Sequence, residues 1–313
     1  MLRLGLLGAR GYVGAELLRL VARHGGFSLE LATSAEAAGK RVGDVIEGTP
    51  FDVPFSKPDP AKAAAMDLDV AVLALANGES PKWVDAFQER SPRTVLLDLG
   101  ADHRFDPAWV YGQPERFRER IRGAMRIANP GCYATAAQLA IAPLLGRLEG
   151  PVNVFGVSGY SGAGATPSPR NDPAALKDNL MPYALVGHTH ERELSAHLGI
   201  PVYFMPHVAP FFRGVTVTVS FQLRAAESLA TLTSAYEERW GTEPLVRLSK
   251  EAPLVRDVVG RHEVRIGGLA VSEDGRHAVV VATVDNLLGG AASQALRNLN
   301  LATGQDELRG IES

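Results

Sequence analysis

A single cysteine, Cys132, stands among 313 residues, so the chain cannot close an intrachain disulfide. That scarcity fits a reducing compartment and leaves the one thiol open to chemistry. No apolar run is long enough to span a bilayer. Residues 1–7 run straight into a glycine-rich turn and lack the long apolar region and small-residue cleavage site of a secretory signal, so a cytoplasmic location is expected. Excess charge of either sign is missing too: 32 Lys and Arg against 35 Asp and Glu leave a net charge of −3. Without a global positive field, neither nucleic acid nor a membrane surface is an expected partner. The His-Glu-x-x-His pattern is absent, and no metal site is expected. What is there is ordinary for a buried globular core: 46% hydrophobic and 21% charged residues, with 32 Gly and 20 Pro. The length suits two domains, whose shared cleft is a natural place for a small molecule.

The first half alternates strands and helices. An apolar run over 2–7 ends at Gly8, and Leu17, Leu18, Val21 and Ala22 follow at helical spacing. Between them Gly8-Ala9-Arg10-Gly11-Tyr12-Val13-Gly14 spaces its glycines three apart. Such a turn lets the N–H groups at the helix start, those of Gly11, Tyr12 and Val13 among them, face a pyrophosphate. A plain tight turn before a packed helix is the alternative.

A second strand over 27–32 ends at Thr33-Ser34, where a dinucleotide fold places an acid on the ribose 2′-hydroxyl. No Asp or Glu stands at that end. Ser34, Lys40, Arg41 and Arg10 instead form a set suited to a 2′-phosphate, which favours NADP over NAD. The competing reading makes Lys40 and Arg41 solvated loop charges. Apolar runs over 70–76 and 95–99 suit strands buried on both faces, and the polar loops after them are expected to rim the cofactor cleft. Arg116, Arg118, Arg120, Arg122 and Arg126 are broken by Glu115 and Glu119 and have only Phe117 interleaved, which reads as a solvated helix face.

Cys132 follows Asn129-Pro130-Gly131 and precedes an apolar helix over 138–148, so it is expected in a first helical turn. There the unpaired N–H groups and partial positive charge of a helix start favour thiolate. A buried small hydrophobe is the alternative. His188 and His190, in Gly187-His188-Thr189-His190-Glu191-Arg192-Glu193, are two candidate acid/base partners for a cysteine nucleophile. Between these segments, the small residues of 158–164, with Ser158, Ser161 and Gly162, let backbone and hydroxyl groups approach an anionic substrate or an oxyanion.

After about residue 151 the alternation fades. Residues 215–223 read as a strand with one wet face, and Asp274-Gly275 between two apolar runs signals a hairpin. A mixed or antiparallel sheet follows, one face of which is available to a second copy of the chain.

Taken together, GARGYVG at 8–14, DLGADHRF at 98–105, YGQPE at 111–115, NPGCYATA at 129–136, SGYSGAG at 158–164, GHTHERE at 187–193, PHVAPFFRG at 206–214 and DNLLGGAASQALRNLNL at 285–301 resemble the N-acetyl-gamma-glutamyl-phosphate reductases of the semialdehyde dehydrogenase superfamily. The resemblance covers essentially the whole chain. It implies an α/β fold, with a Rossmann-type parallel-sheet NADP-binding domain over 1–130 and an α+β mixed-sheet catalytic and dimerisation domain over 131–285. A C-terminal helix over 286–313 is implied to return to the first domain.

The implied reaction is NADPH-dependent reduction of N-acetyl-L-glutamyl 5-phosphate, with release of inorganic phosphate, in arginine biosynthesis. Cys132 takes the nucleophile position and His188 and His190 the two histidine positions, with either histidine able to move the proton. Arg104, Arg170 and Arg213 are candidates for the substrate's phosphate and carboxylate. Glu193, Ser158, Ser161 and Gly162 complete the substrate-binding set. The resemblance also implies a homodimer or homotetramer. Four positions depart from the usual pattern: Arg10, Asn77, Gly100 and Ala165. Two other readings stay open: a reductase of aspartyl or carrier-linked aminoadipyl phosphate using the same thioester route, and a non-catalytic NADP-binding sensor.

Overall fold

The computed structural model describes residues 1–311. The chain forms two compact units, one from Met1–Gly131 together with the stretch that begins at Ala291, the other from Cys132–Gly290.

The first unit holds a seven-stranded parallel sheet: β1 (Leu2–Leu7), β2 (Phe27–Thr33), β3 (Phe55–Ser56), β4 (Val70–Leu73), β5 (Val95–Asp98), β6 (Val110–Tyr111) and β7 (Arg126–Ala128), in the order β3-β2-β1-β4-β5-β7-β6. β4 and most of β1 and β5 are fully buried, as continuous apolar runs between helical layers must be. Strand order reverses between β1 and β4, and in open parallel sheets ligands gather beyond the strand ends at such a point. The helix Tyr12–His24 buries Leu17, Leu18, Leu20 and Val21 and ends on Gly25 in the left-handed conformation. β4 and β5 stop earlier than their apolar runs suggest. Asp98 turns back to accept from the Gly100 N–H (2.9 Å), which ends the extended backbone of β5.

The segment Pro114–Ile121 is more than a solvated face. Glu115 is buried against Arg297, and Arg118 donates to Glu307 at 2.6 Å, so this helix docks the C-terminal helix Ser293–Ala302. Arg116 and Arg120 lie over the Phe117 ring, and Arg122 pairs with Glu119 at the surface.

The second unit is built on a seven-stranded mixed sheet: β8 (Leu148–Gly159), β9 (Met181–Pro182), β10 (Val202–Ala209), β11 (Val215–Leu223), β12 (Val246–Ser249), β13 (Val264–Val271) and β14 (His277–Val284), in the order β12-β13-β14-β11-β8-β10-β9. β13 and β14 form the expected hairpin, with Gly275 at φ +71° in its turn. Val152, Val154, Val217, Val219 and Val280 line the face that packs beneath Cys132–Ile141, a helix buried along nearly its whole length. That helix is shorter than the sequence suggests. Pro143 has no N–H for the next turn, and the chain continues as the 3₁₀ segment Ala142–Arg147. Phe155 and Tyr203, on the other face, are exposed. Among the described residues, no helix is long and apolar enough to cross a membrane.

Candidate active site

In the first unit the turn after β1 is shaped by its glycines. Gly8 sits at φ +81°, and a Cβ there would lie 2.1 Å from the Ala74 carbonyl oxygen, so no other residue fits. A Cβ on Gly14 would fall 2.8 Å from the Gly8 and Ala9 carbonyl oxygens. The Gly8 N–H donates to Thr33 Oγ1 (2.9 Å) and the Ala9 N–H to the Thr33 carbonyl (3.0 Å), tying the turn to the end of β2. Gly11 is the N-cap of Tyr12–His24 and brings no side-chain cap, and its own N–H donates to the Gly8 carbonyl (3.1 Å), so Tyr12 and Val13 open the helix. A cavity of about 220 Å³ is lined by Gly8, Arg10, Gly11, Thr33, Ser34, Ala35 and Glu36. Lys40 is not in that lining: it is exposed, and its carbonyl accepts from the Phe55 N–H. Arg41 pairs with Asp52 at the surface.

The loops after β4 and β5 are cross-linked by carboxylates and an amide. Asp102 accepts from the N–H groups of Gly78 and Ser80, and Asn77 Oδ1 from that of Ala101 (3.1 Å). Buried Asp98 accepts from the Ser80 hydroxyl (3.0 Å) and meets His103 Nδ1 at 2.6 Å. Two departures from the usual pattern therefore sit side by side, since a Cβ on Gly100 would come within 3.7 Å of Asn77 Oδ1. Arg104 is buried. Its Nε donates to the Asn129 carbonyl (2.9 Å) and its terminal nitrogen to that of Leu99 (3.1 Å), so it fixes backbone.

In the second unit Cys132 opens its helix and is half-buried. The Cβ of Cys132 would lie 2.8 Å from a Cβ placed on Gly290, so only glycine at 290 leaves the cysteine its room. Tyr133 donates to the His207 carbonyl (2.9 Å), and its ring meets His190 at 5.6 Å and Phe204 at 4.9 Å. His188 contacts Tyr183 (5.5 Å), His190 (4.9 Å) and Phe204 (5.2 Å). Burial raises the Tyr133 phenol well above its usual range, with Tyr183 and Cys132 adding to the effect. Burial also pushes Tyr183 up to about 12, with Cys132 contributing. Cysteine, tyrosines and histidines thus share one electrostatic neighbourhood.

The two histidines differ in role within the helix Thr189–Leu198. His188 is its N-cap, and Nδ1 accepts from the His190 N–H at 3.0 Å. That bond needs an unprotonated Nδ1, which places the ring proton on Nε2 in the neutral form. Burial holds the His188 pKa below its ordinary value and Arg170 adds to this, against opposing pulls from Glu191 and Glu193. Glu193 is completely buried, with Oε2 4.0 Å from His190 Nε2.

The remaining candidates divide. Arg170 is exposed and lies 5.1 Å over the Tyr183 ring, beside His188. Arg213 pairs with buried Asp285 (2.7 Å), which also accepts from the Gly260 and Leu287 N–H groups. Ser158 donates to the Gly159 carbonyl (2.7 Å), Ser161 Oγ accepts from Asn286 (2.9 Å), and a Cβ on exposed Gly162 would lie 2.7 Å from Ser158 Oγ. These buried serines shape the loop from within it. Sequence reasoning missed Tyr183, Gly290, Asp285 and Glu36. The motif at 285–301, which contains both Asp285 and Gly290, carried a signal; Tyr183 and Glu36 are placed by the fold alone.

A parallel-sheet unit with a dinucleotide-type glycine turn, and a mixed-sheet unit whose cysteine opens a helix beside a histidine pair, define a semialdehyde-dehydrogenase architecture. The chain belongs to the semialdehyde dehydrogenase family: residues 3–124 match its NAD binding domain and residues 132–286 its dimerisation domain. Its relatives are more particular. Over 308 residues it is 52% identical to the N-acetyl-gamma-glutamyl-phosphate reductase of Xanthomonas campestris pv. campestris (strain B100), covering 98% of each chain. With that of Stenotrophomonas maltophilia (strain R551-3) it shares 49%, over 98% of this chain and 97% of the relative. In fold it is similar to aspartate semialdehyde dehydrogenase II from Vibrio cholerae, with TM-score 0.78, 20% identity, and coverage of 97% and 99%. It is also similar to the NADP-bound aspartate semialdehyde dehydrogenase of Candida albicans, with TM-score 0.74, 15% identity, and coverage of 97% and 99%.

Proposed function

We propose that the chain is an NADPH-dependent reductase of N-acetyl-L-glutamyl 5-phosphate, forming N-acetyl-L-glutamate 5-semialdehyde and inorganic phosphate in arginine biosynthesis. The observation that carries the chemistry is the shared neighbourhood of Cys132 at a helix start, Tyr133, Tyr183 and the two histidines. A helix start favours the thiolate, and a nearby imidazole takes the thiol proton.

Cys132 Sγ attacks the acyl carbon, the bond from that carbon to the phosphate oxygen breaks, and a thioester remains on the enzyme. His190, with the Glu193 carboxylate 4.0 Å from its Nε2, receives the thiol proton and passes it to the departing phosphate. His188, whose Nδ1 is committed to the helix, offers its Nε2–H as a donor to the substrate. NADPH supplies the hydride that reduces the thioester carbon. The resulting oxyanion collapses, the carbon–sulfur bond breaks, and the aldehyde leaves with the thiolate restored. N–H groups at the start of Cys132–Ile141 stabilise the oxyanion while it lasts.

The glycine turn fits a dinucleotide pyrophosphate. Gly8 lets the turn close tightly against Ala74 and the Gly11 N–H holds that turn through the Gly8 carbonyl, while Tyr12 and Val13 open a helix whose N-cap brings no side chain to compete with the pyrophosphate. Ser34 and Arg10 line the adjoining cavity and suit the 2′-phosphate of NADP, with Lys40 a more distant cation. Arg170 is the arginine best placed for a substrate anion. Arg104 and Arg213 serve the site by fixing backbone and Asp285. The enzyme works in the cytoplasm as a homodimer or homotetramer. The half of the mixed sheet turned away from its helices, with Phe155 and with Tyr203 at 55% exposure, is the surface that pairs.

NADP⁺- and phosphate-dependent oxidation of N-acetyl-L-glutamate 5-semialdehyde, followed by NADPH absorbance beside aspartate semialdehyde, tests the reading. Turnover is expected on the acetylated aldehyde alone; turnover only on aspartate semialdehyde overturns the substrate. Cys132→Ser is expected to keep NADPH binding and to lose turnover by orders of magnitude, because a hydroxyl ionises far less readily. Normal turnover in that variant would rule out the thioester.

A further inference from the structure

We infer that Glu36 sets the enzyme's choice between NADPH and NADH by competing with the 2′-phosphate for Arg10. The inference rests on the placement of the dinucleotide at the glycine turn proposed above. β2 ends without an acid, but the chain then folds back on itself. Ser34 Oγ accepts from the Ala37 N–H (3.2 Å), closing a turn that carries Glu36. Glu36 reaches Arg10 in the glycine turn, and the two side chains form an ion pair. Both line the same cavity as Gly8, Gly11, Thr33, Ser34 and Ala35. An acid thus occupies the ribose end of this fold from a position beyond the strand terminus.

The chemistry of the pair gives each cofactor a distinct partner. A 2′-phosphate needs the Arg10 guanidinium, which offers two parallel N–H donors to phosphate oxygens. To supply them Arg10 must leave Glu36, and the carboxylate then stands beside a phosphate of like charge. A free ribose 2′-hydroxyl has the opposite requirement: it donates to Glu36 and draws nothing from Arg10. The pair is solvent-accessible, with Arg10 at 43% and Glu36 at 73% side-chain exposure. Exposed ion pairs are weak, so Arg10 can change partners on binding. Arg10 therefore pulls toward NADPH and Glu36 toward NADH, and discrimination is narrower than Arg10 alone would give.

The test is equilibrium binding of NADP⁺ and NAD⁺ by isothermal titration calorimetry to the full chain and to Glu36→Gln and Arg10→Gln, with melting temperature confirming that each variant folds. Glu36→Gln should tighten NADP⁺ about tenfold and weaken NAD⁺ a few-fold, because it removes a charge beside the phosphate and an anionic acceptor for the hydroxyl. Arg10→Gln should weaken NADP⁺ at least about tenfold and leave NAD⁺ within about twofold. If Glu36→Gln leaves the ratio of the two dissociation constants unchanged, or moves it toward NAD⁺, while Arg10→Gln behaves as stated, the role of Glu36 is wrong and the cofactor site stands. If neither substitution alters either affinity, the dinucleotide does not bind at this turn and both readings fall.

Discussion

At the scale of single residues, the two histidines separate into one that holds the helix and one backed by a carboxylate. His188 caps Thr189–Leu198 through Nδ1, a task that asparagine, a favoured N-cap, performs without a ring. His188→Asn is therefore expected to keep stability within a few tenths of a kcal/mol, while His188→Ala loses about 1 kcal/mol, read from urea unfolding. Both should lower turnover, since neither carries an Nε2–H in the same place. If His188→Asn kept full activity, the imidazole would be serving only as a cap. Much of this was legible in the sequence: the histidine spacing, the cysteine at a helix start and the glycine turn are all local signals. Tyr183 was not legible, because it is brought beside His188 by the short pairing of β9 with β10. Nor was the ion pair between Arg213 and Asp285, 72 residues apart along the chain. Charge in a sequence says that an arginine is present, and only the fold says which carboxylate has already taken it.

At the scale of elements, the C-terminal helix shows where pattern reading stops. Its leucine spacing marks a helix, and Ser293–Ala302 is one, entered through the π-helical turn Leu288–Ala292. What the pattern does not reveal is the charge buried beneath it. Arg297 is 3% exposed and bonded to both Glu115 and Glu307, and Glu307 is held in turn by Arg118. Burial works against the charge on Arg297, but the two carboxylates outweigh it and its pKa rises. Burial likewise opposes ionisation of Glu307, and the bonds from Arg118 and Arg297 outweigh it, bringing its pKa below the ordinary value. The stretch around Arg118 looks like solvated polarity in the sequence because the acid that neutralises it lies 189 residues away. Removing one partner of such a network strands a buried charge. Arg297→Met is expected to cost about 3–5 kcal/mol in urea unfolding, with most of it regained when Glu115→Leu is added. A cost below about 1 kcal/mol would mean that Glu115 and Glu307 find other partners or water.

At the scale of the whole molecule, one buried and one half-buried imidazole make stability depend on pH. His24 lies in the first unit, with Nδ1 accepting from the Gly26 N–H and Nε2 bonded to Asn300 Oδ1, so its neutral form is the one the fold accommodates. Burial lowers its pKa, the Asn300 bond opposes this, and Arg309 reinforces it. His188 in the second unit is shifted the same way, with Arg170 reinforcing and Glu191 and Glu193 opposing. Both groups titrate at their ordinary value of 6.5 once unfolded, and lower than that when folded. As pH falls through 6.5 the unfolded chain takes up these protons first, so unfolding is favoured. Their contribution is complete above 6.5 and is lost as pH falls to the lowered folded values. Glu307 adds a second step further down, because its stabilising charge is present above 4.5 and lost as pH falls through its lowered folded value. Urea unfolding at about pH 7.5 and about pH 5.5 should therefore show lower stability at the acid end, and His24→Gln should reduce the difference between the two. Equal stability at both pH values would mean that His24 and His188 protonate in the folded state as readily as in the unfolded one. That in turn would require the His188 cap and the Gly26 contact to open without cost.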